Sequence, residues 1–493
     1  MRASSVGRTG RGASDSPGAT TYPRARRWLG WNLPVLVATV LPLVSVPFLP
    51  FVRTSAVAPL VVPLAGLVVA AAFVTAPRRL AIPRTPAWFA LAFLAVVAAS
   101  YAVPVLHPDA YDVTASDVVR RLVRAFLPLV AAGLVTWMGY LLIRHPRMGF
   151  LAVVRGLLVA AWVHAAVALL SLATIVGIPF LDDAYRLLRT LFATSGVSPI
   201  GGLERATSLA VEPSFAGFEY VALWIPFTAA LALEPRTRRT GLLLGTVFLA
   251  AALATASLTA AVGILVVGGI WGTWVLRRVR PPALAGVAGL VALLAVTAVP
   301  LLPGASDLLA RAGRDVPAVL DGRFAASGPS DPSLAVRAAL VHTAANGAIA
   351  FPLTGAGFGL AGYRFDEWRP AWTTRNPYMA EYERYVGDPN GRVFPTAKNL
   401  YVRVANEVGV VGVAVLVALV LWAMQRARRD VRRLPRIDGK LHGSVTPAAA
   451  RRILAHATLL GLAGSVVAYA SLDSFGIPYL WFWIGITAGR PAS

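Results

Sequence analysis

Long apolar blocks alternate with short polar joints along the whole chain, and within each block polar residues are too sparse to mark a solvent face. Neither the stripe of an amphipathic surface helix nor the strict alternation of a half-buried strand describes such blocks. A hydrocarbon core about 30 Å thick requires roughly 20 apolar residues per helix. About twelve blocks, counting shorter ones, approach that length. They cover residues 33–52, 56–74, 87–106, 125–143, 151–178, 216–233, 241–256, 258–276, 284–299, 400–424, 453–470 and 475–487. The run from Thr240 to Leu276 is too long for one span, and its flanks EPRTRR and RRVRPP are both basic, so it reads as two helices joined by a tight turn near ASLT. The pattern predicts an all-α integral membrane protein with one large loop between helices nine and ten. Residues 1–30 form a basic tail, 31–300 hold nine helices with an exposed segment at 180–215, 301–399 are the large loop, and 400–488 hold the last three helices.

Charge orients this arrangement, because Lys and Arg are retained in cytoplasmic loops. With the N-terminus inside, the tail, PRRLAIPR, RHPRMG, EPRTRR, RRVRPP, QRARRDVRRLPRIDGK with the following ARR, and Arg490 all fall in the cytoplasm. They hold 27 of the 46 basic residues but only 4 of the 23 acidic ones, Asp15, Glu234, Asp430 and Asp438. Subtracting 27 from 46 and 4 from 23 leaves 19 of each sign elsewhere, so the whole net charge of +23 is cytoplasmic. A pI near 11 therefore reports membrane insertion and anionic lipid, not nucleic-acid binding. The Gly/Ser/Arg-rich start of the chain reads as a disordered cytoplasmic tail, and its first apolar block is span-length and followed at once by another, unlike a cleaved signal peptide. Without cysteine there are no disulfides and no thiolate metal sites.

Three segments on the opposite, external face are long enough to carry a site; the other joints there are tight turns. They are HPDAYDVTASDVVRR, the stretch 180–215, and the large loop. The second leads through ERATSLAVEPSFAGFEY into a helix and carries Glu204, Arg205, Glu212 and Glu219 with it. Ionisable groups entering a membrane helix usually face a bundle interior or a wet cavity. Glu219 reads either that way or as a side chain snorkelling to the headgroups. In the large loop, the Ala-rich stretch LAVRAALVHTAANGAIA has helical propensity and separates Arg337 from His342 by more than one turn. The glycines of the following FPLTGAGFGLAGY let backbone approach a bulky or phosphate-bearing ligand, but no strand precedes them as in a dinucleotide fold. RFDEWRPAWTTRNPYMAEYERYVGDPNGRVF mixes aromatic and charged residues in a way that suits sugar recognition or, equally, a packed cap with surface ion pairs.

The stretch TAKNLYVRVANEVGVVG begins a membrane helix with polar groups. On a helix starting near Asn399, residues 399, 403, 406 and 407 make one polar stripe, and Arg403 and Glu407 pair at i,i+4. The apolar half that follows has small residues suited to close packing.

Taken in order, these landmarks resemble the bacterial O-antigen polymerase and O-antigen ligase family, polytopic enzymes acting on lipid-diphosphate-linked glycans. Three motifs carry the likeness: RATSLAVEPSFAGFEYVALWIPF, VRAALVHTAANGAIAFPLTGAGFG and KNLYVRVANEVGVVG. The resemblance implies that Arg205 and Arg337 contact the diphosphate of an undecaprenyl-diphosphate-linked donor, with Asn399, Tyr401 and Arg403 binding substrate nearby. A guanidinium offers a planar, permanently charged fork to phosphate oxygens. A general base must then take the proton of the acceptor hydroxyl. Ligases of the family typically carry histidine before the Asn of the third motif, whereas this chain has Lys398. Lysine there suits a cation for diphosphate or sugar better than a base, which moves the base to Glu212 or Glu407 and favours a polymerase over a ligase.

The expectation is thus a glycosyltransferase in the cytoplasmic membrane, with its active site on the external, periplasmic side. Its partners would be a lipid-linked donor, a glycan acceptor and the bilayer, with a chain-length regulator or flippase as a candidate protein partner. No cofactor and no metal are expected, since His107, His145, His164, His342, His442 and His456 are scattered. A lipid-linked oligosaccharide flippase is the alternative from another class. Against it stand the absence of a clear two-half repeat and the long external loop. A polyprenyl-phosphate glycosyltransferase with acidic residues in its first external loop fits poorly, because that loop is only VRTSA.

Overall fold

The computed structural model describes residues 23–44, 59–75, 82–111, 115–144, 149–192, 205–210, 212–276, 332–376, 395–434 and 445–490. Among these residues every regular element is helical. The helices are α1 (Pro23–Val40), α2 (Val61–Thr75), α3 (Arg84–Ser100), α4 (Ala102–Leu106), α5 (Ala115–Arg144), α6 (Gly149–Ile175), α7 (Pro179–Phe192), α8 (Pro213–Glu219), α9 (Ile225–Leu233), α10 (Arg238–Ala254), α11 (Leu258–Leu276), α12 (Pro332–Ala350), α13 (Leu400–Arg433), α14 (Pro447–Ala468) and α15 (Tyr479–Gly489). Among the described residues five stretches are long and apolar enough to cross a membrane: Arg84–Leu106, Val118–Arg144, Gly149–Ile175, Pro213–Leu233 and Leu400–Arg433. The protein is a multi-pass helical membrane protein.

Two expected blocks match at their ends: α11 covers 258–276, and α13 starts at the expected residue. Its last turns run past the apolar block through QRARRDVRR, where helix-forming Arg and Gln continue the coil and the basic end suits the helix dipole. Other boundaries differ: α1 ends at Val40 rather than at 52, and α5 begins at Ala115, ten residues before the expected 125. The tail expected to be disordered to residue 30 already enters α1 at Pro23, a residue whose fixed φ and missing N–H suit the first helical position. The expected span 284–299, tail residues 1–22, Glu204 and the loop portions 301–331 and 377–394 lie outside the described residues.

The centre of the bundle is the stretch Pro213–Leu233, of whose most apolar window 83% is buried inside the protein, against 22% for Arg84–Leu106 at the periphery. This central helix contains Pro226, which has no N–H to offer the Ala222 carbonyl one turn back. That carbonyl instead accepts the indole N–H of Trp483 from α15 at 2.8 Å. The adjoining Tyr220–Trp224 segment is a π turn, and its wider coil brings Glu219 and Trp224, five residues apart, into a 2.6 Å hydrogen bond. Glu219 thus faces the bundle interior rather than the headgroups, with 1% of its surface exposed. His164 stands beside it, Nδ1 3.5 Å from the same carboxylate oxygen, with Nε2 3.1 Å from the Thr39 carbonyl.

Residues assigned by their charge to one face meet one another at that end of the bundle. Arg452 pairs with Glu234 at 2.9 Å, and Arg490 with Asp430 at 2.8 Å.

At the other end α13 is broken. Gly409, at φ 75° and ψ 179°, interrupts the helix and frees the carbonyls of Asn406 and Glu407. The glycine turn after α12 takes them up: Ala356 N–H donates to Asn406 O at 2.7 Å and Gly357 N–H to Glu407 O at 3.1 Å, while Val410 N–H returns a bond to Pro352 O at 2.8 Å. The glycines therefore admit close approach of one backbone to another. The turn is clamped from behind by Tyr101, whose hydroxyl donates to Phe358 O at 3.0 Å, and by Tyr111, whose hydroxyl donates to Ala356 O at 2.6 Å. A side chain at 409 would combine a left-handed φ with collision against the Leu353 carbonyl. Gly409→Ala should therefore cost at least about 2 kcal/mol, read as a lower midpoint in thermal unfolding of the detergent-solubilised protein followed by tryptophan fluorescence.

Candidate functional site

The polar start of α13 is built against the turn that links α14 to α15. Asn399 caps the helix, its side-chain oxygen accepting from Tyr401 N–H at 3.0 Å and Val402 N–H at 3.1 Å. Its amide donates across to Ala470 O at 2.8 Å. Leu400 N–H reaches Tyr469 O at 2.9 Å, and Tyr401 donates its hydroxyl to Val466 O at 2.9 Å. The expected pair forms, Arg403 Nε to Glu407 at 2.9 Å, and the same guanidinium donates through Nη1 to Asp473 O at 2.9 Å. The stripe is graded in depth: Lys398 is exposed, Asn399 and Arg403 are half-buried, and Asn406 and Glu407 are buried. Glu407 also accepts the Gly359 N–H at 3.3 Å, so this carboxylate ties the glycine turn to Arg403.

A second group forms around the entry to α8. Arg337, projecting from α12, donates through Nη1 to Ser471 O at 3.1 Å and through Nη2 to Ser214 Oγ at 3.4 Å. Ser214 in turn donates to the exposed Glu212 carboxylate at 3.2 Å. Arg205 donates through Nε to Thr255 O at 2.8 Å and through Nη2 to Ala256 O at 2.9 Å, the turn at the C-terminal end of α10. This is the tight turn expected near ASLT. It lies against α8, since a side chain at Gly217 would touch Thr255, Ser257 and Ala260. Thr259, just beyond, hydrogen-bonds Ser471 through its hydroxyl.

The two groups share the loop 469–473. Its Ala470 carbonyl holds Asn399, its Ser471 carbonyl holds Arg337, and Asp473 receives both Arg403 and, at 3.2 Å, the Lys398 N–H. All eight residues expected from sequence, Arg205, Glu212, Arg337, Lys398, Asn399, Tyr401, Arg403 and Glu407, are thus connected through described elements at one end of the bundle. Two of them bond only internally: Asn399 serves as a helix cap, and the Tyr401 hydroxyl is given to α14.

Sequence reading passed over Asp473 and Ser471, treating this joint as a tight turn. The signal available was a lone carboxylate in the short joint YASLDSFG. Burial pushes the Asp473 carboxyl up, but the charges of Lys398 and Arg403 and hydrogen bonds from Thr396 and the Lys398 N–H prevail and hold it below the usual aspartate range. Lys398 itself has a left-handed φ of 53°, an uncommon conformation for a side-chain-bearing residue.

The aromatic cap beside this site is packed on itself. Arg364 lies over the rings of Phe351 at 4.9 Å, Trp368 at 5.3 Å and Tyr111 at 5.6 Å and pairs with Glu367 at 2.6 Å. Phe365 and Trp368 are buried. Within 361–376 the mixture of aromatic and charged residues therefore builds a cap rather than an open stacking platform. His342 stands edge-on to Trp372, and burial lowers its pKa. Among the described residues no group of three or more His, Asp or Glu side chains is placed to hold a metal ion.

Residues 241–417 match the family model described as O-antigen ligase. The match covers about a third of the chain and supports its likeness to the O-antigen polymerase and ligase family. The matched segment runs from α10 through α12 and the glycine turn to the middle of α13. It contains Arg337, Lys398, Asn399, Tyr401, Arg403 and Glu407, while Arg205, Glu212 and Asp473 reach the same region from outside the matched segment. No curated protein matches the chain. The match supports a ligase- or polymerase-like function on lipid-linked glycan in a membrane.

A depressed carboxyl adds stability above its unfolded pKa, about 3.9 for aspartate, and that stability is lost as pH falls through the lower folded value. Asp473→Asn should therefore lower the melting temperature at neutral pH, and its deficit against wild type should shrink below about pH 4. Thermal unfolding of both proteins across pH 3 to 7 checks this; a deficit that grows on acidification would contradict it.

Proposed function

We propose that the protein is a glycan polymerase acting on the outer, periplasmic face of the cytoplasmic membrane. It transfers a growing chain from an undecaprenyl-diphosphate-linked donor to the next lipid-linked repeat unit. The observation that carries this reading is the contact chain from the Arg337 guanidinium through Ser214 to the exposed Glu212 carboxylate. A permanent cation and a solvent-facing carboxylate a few ångströms apart are what a transfer with an anionic leaving group requires.

In the proposed reaction the bond from the donor's anomeric carbon to the diphosphate oxygen breaks, with positive charge developing on the sugar. The electron pair leaves with the diphosphate, whose charge Arg337, Arg205 and Lys398 stabilise. The acceptor hydroxyl oxygen forms the new bond and its proton passes to Glu212. Arg403, paired with Glu407, holds Asp473 by its carbonyl, and the Asp473 carboxylate in turn accepts the Lys398 N–H. Guanidinium and ammonium groups supply the charge that a divalent cation would otherwise bring, so the chemistry is read as metal-independent. A chain-length regulator or flippase is the expected protein partner.

The description of the matched domain favours a second reading, transfer of finished glycan to another acceptor. Lys398, where ligases typically carry histidine, favours polymerisation. Mass analysis of lipid-linked intermediates in cells lacking the protein separates the two. Single repeat units accumulate if it is a polymerase, and finished chains on lipid accumulate if it is a ligase.

In reconstituted membranes Arg337→Ala should slow transfer by about 100-fold or more, the typical effect of removing one donor aimed at developing negative charge. Glu212→Gln should cost roughly 10²- to 10⁴-fold in rate, with little change in melting temperature because its carboxylate is exposed. Chain-length ladders identical to wild type in Arg205→Ala and Arg337→Ala would sink the assignment. A fully active Glu212→Gln beside an inactive Glu407→Gln would transfer the base role to Glu407.

A further inference from the structure

Helix α7 has three faces. Leu181, Tyr185, Leu188 and Phe192 turn inward, Tyr185 being buried and Leu188 and Phe192 packed against the core. Asp182, Asp183, Arg186, Arg189 and Thr190 form a polar arc, within which Arg186 and Asp182 pair at 2.6 Å. The third face is an apolar stripe of Phe180, Ala184, Leu187 and Leu191, spaced four, three and four apart and exposed along its length. Phe180 is 72% and Leu187 62% exposed. A helix with one protein face needs only that face apolar to fold against the bundle; the second apolar face has no use in water.

The position of α7 indicates what covers the stripe. The helix follows the membrane-crossing α6 directly, through a turn at 176–178 in which Gly177 takes a φ of 82°. Apolar exposure is continuous across that turn, from Trp162, Val163 and Leu169 on the outer flank of α6 through Val176 and Ile178 to Phe180. The flank of a crossing helix that carries exposed Trp, Val and Leu faces lipid, and the stripe of α7 extends the same surface. The inward face meanwhile reaches the site: the Tyr185 hydroxyl lies 2.8 Å from Thr207 Oγ1 and donates to Ser208 O at 2.7 Å, in the segment that carries Arg205.

We propose that α7 is an interfacial helix lying in the membrane surface at the Arg205 end of the bundle. Its Phe180, Ala184, Leu187 and Leu191 stripe is sunk among acyl chains and its Asp/Arg arc faces water. The Arg205 loop is thereby held at headgroup depth, the level at which a lipid-borne phosphate sits. This goes beyond the proposed reaction and does not depend on it.

The chain has no cysteine, so single cysteines can be placed without background. Phe180→Cys, Ala184→Cys, Leu187→Cys and Leu191→Cys report the stripe, and Asp183→Cys, Arg186→Cys and Thr190→Cys report the polar arc. Each full-length variant is nitroxide-labelled, checked for monodispersity, and reconstituted into phosphatidylethanolamine and phosphatidylglycerol vesicles. Power-saturation EPR then compares collision with oxygen, which concentrates in lipid, against collision with a water-soluble nickel chelate. The stripe positions should favour oxygen several-fold and the arc positions should favour nickel, with both alternating at helical period. Equal nickel access on both faces would place the stripe in water. Protection of the stripe from both reagents would mean that protein covers it, whether a second copy or another chain. Either result overturns the proposal, and neither bears on whether Arg337 and Glu212 perform the transfer.

Discussion

The last carbonyls of a helix have no N–H further along the chain to accept from, and where a helix ends at a membrane surface their satisfaction cannot be left to bulk water alone. At the Arg205 end of this bundle backbone N–H groups meet part of that need, Ala206 N–H donating to Ala254 O at 3.0 Å and Leu400 N–H to Tyr469 O at 2.9 Å, and cationic and amide side chains from other elements take the carbonyls of the turns that follow. The turn ending α10 is held by Arg205, and the turn ending α14 is held by Arg337, Asn399 and Arg403. Positive charge near a helix C-terminus is favoured by the dipole as well as by the hydrogen bonds. The same contacts draw α8, α12 and α13 together around the loop 469–473, so a requirement of helix termination also assembles the site.

Capping fixes the Arg337 guanidinium without exhausting it. A guanidinium carries five N–H donors in a rigid plane, and the bonds described for Arg337 involve only two of its nitrogens. Its orientation is therefore set before any ligand arrives, and the entropy of ordering a long side chain has already been lost in folding. Asp473 sets the balance of this arrangement. One buried carboxylate faces Lys398 and Arg403 together, which keeps both cations in place and leaves the region with a surplus of positive charge.

Much of this was legible in the sequence because its causes are local. Span-length apolar blocks located the helices, and three- and four-residue spacing predicted the Arg403 to Glu407 pair. What escaped involved partners distant in sequence or departures from the regular helix. Asp473 lies some seventy residues beyond Lys398, and nothing in the joint YASLDSFG announces that three elements converge on it. The inward turn of Glu219 depends on a π turn, whose five-residue match with Trp224 a 3.6-residue period does not anticipate. The glycines of FPLTGAGFGLAGY were legible as a close approach, but their partner, the broken backbone at Gly409, was not. A left-handed glycine inside a continuous apolar helix leaves no mark in hydropathy.

The two carboxylates read as candidate bases differ in a way that bears on the proposed chemistry. Glu407 is buried, and its oxygens accept from Arg403 and from the Gly359 N–H. Receiving a proton there would mean giving up the contacts that hold the glycine turn onto α13, so each catalytic cycle would loosen the fold. Glu212 heads α8 with an exposed side chain whose described partner is a single serine hydroxyl, itself bonded to Arg337. Under the proposed function an acceptor hydroxyl reaches it without displacing anything structural. On that reading the donor diphosphate and the acceptor hydroxyl would thus meet at one connected pair, Arg337 and Glu212 joined through Ser214.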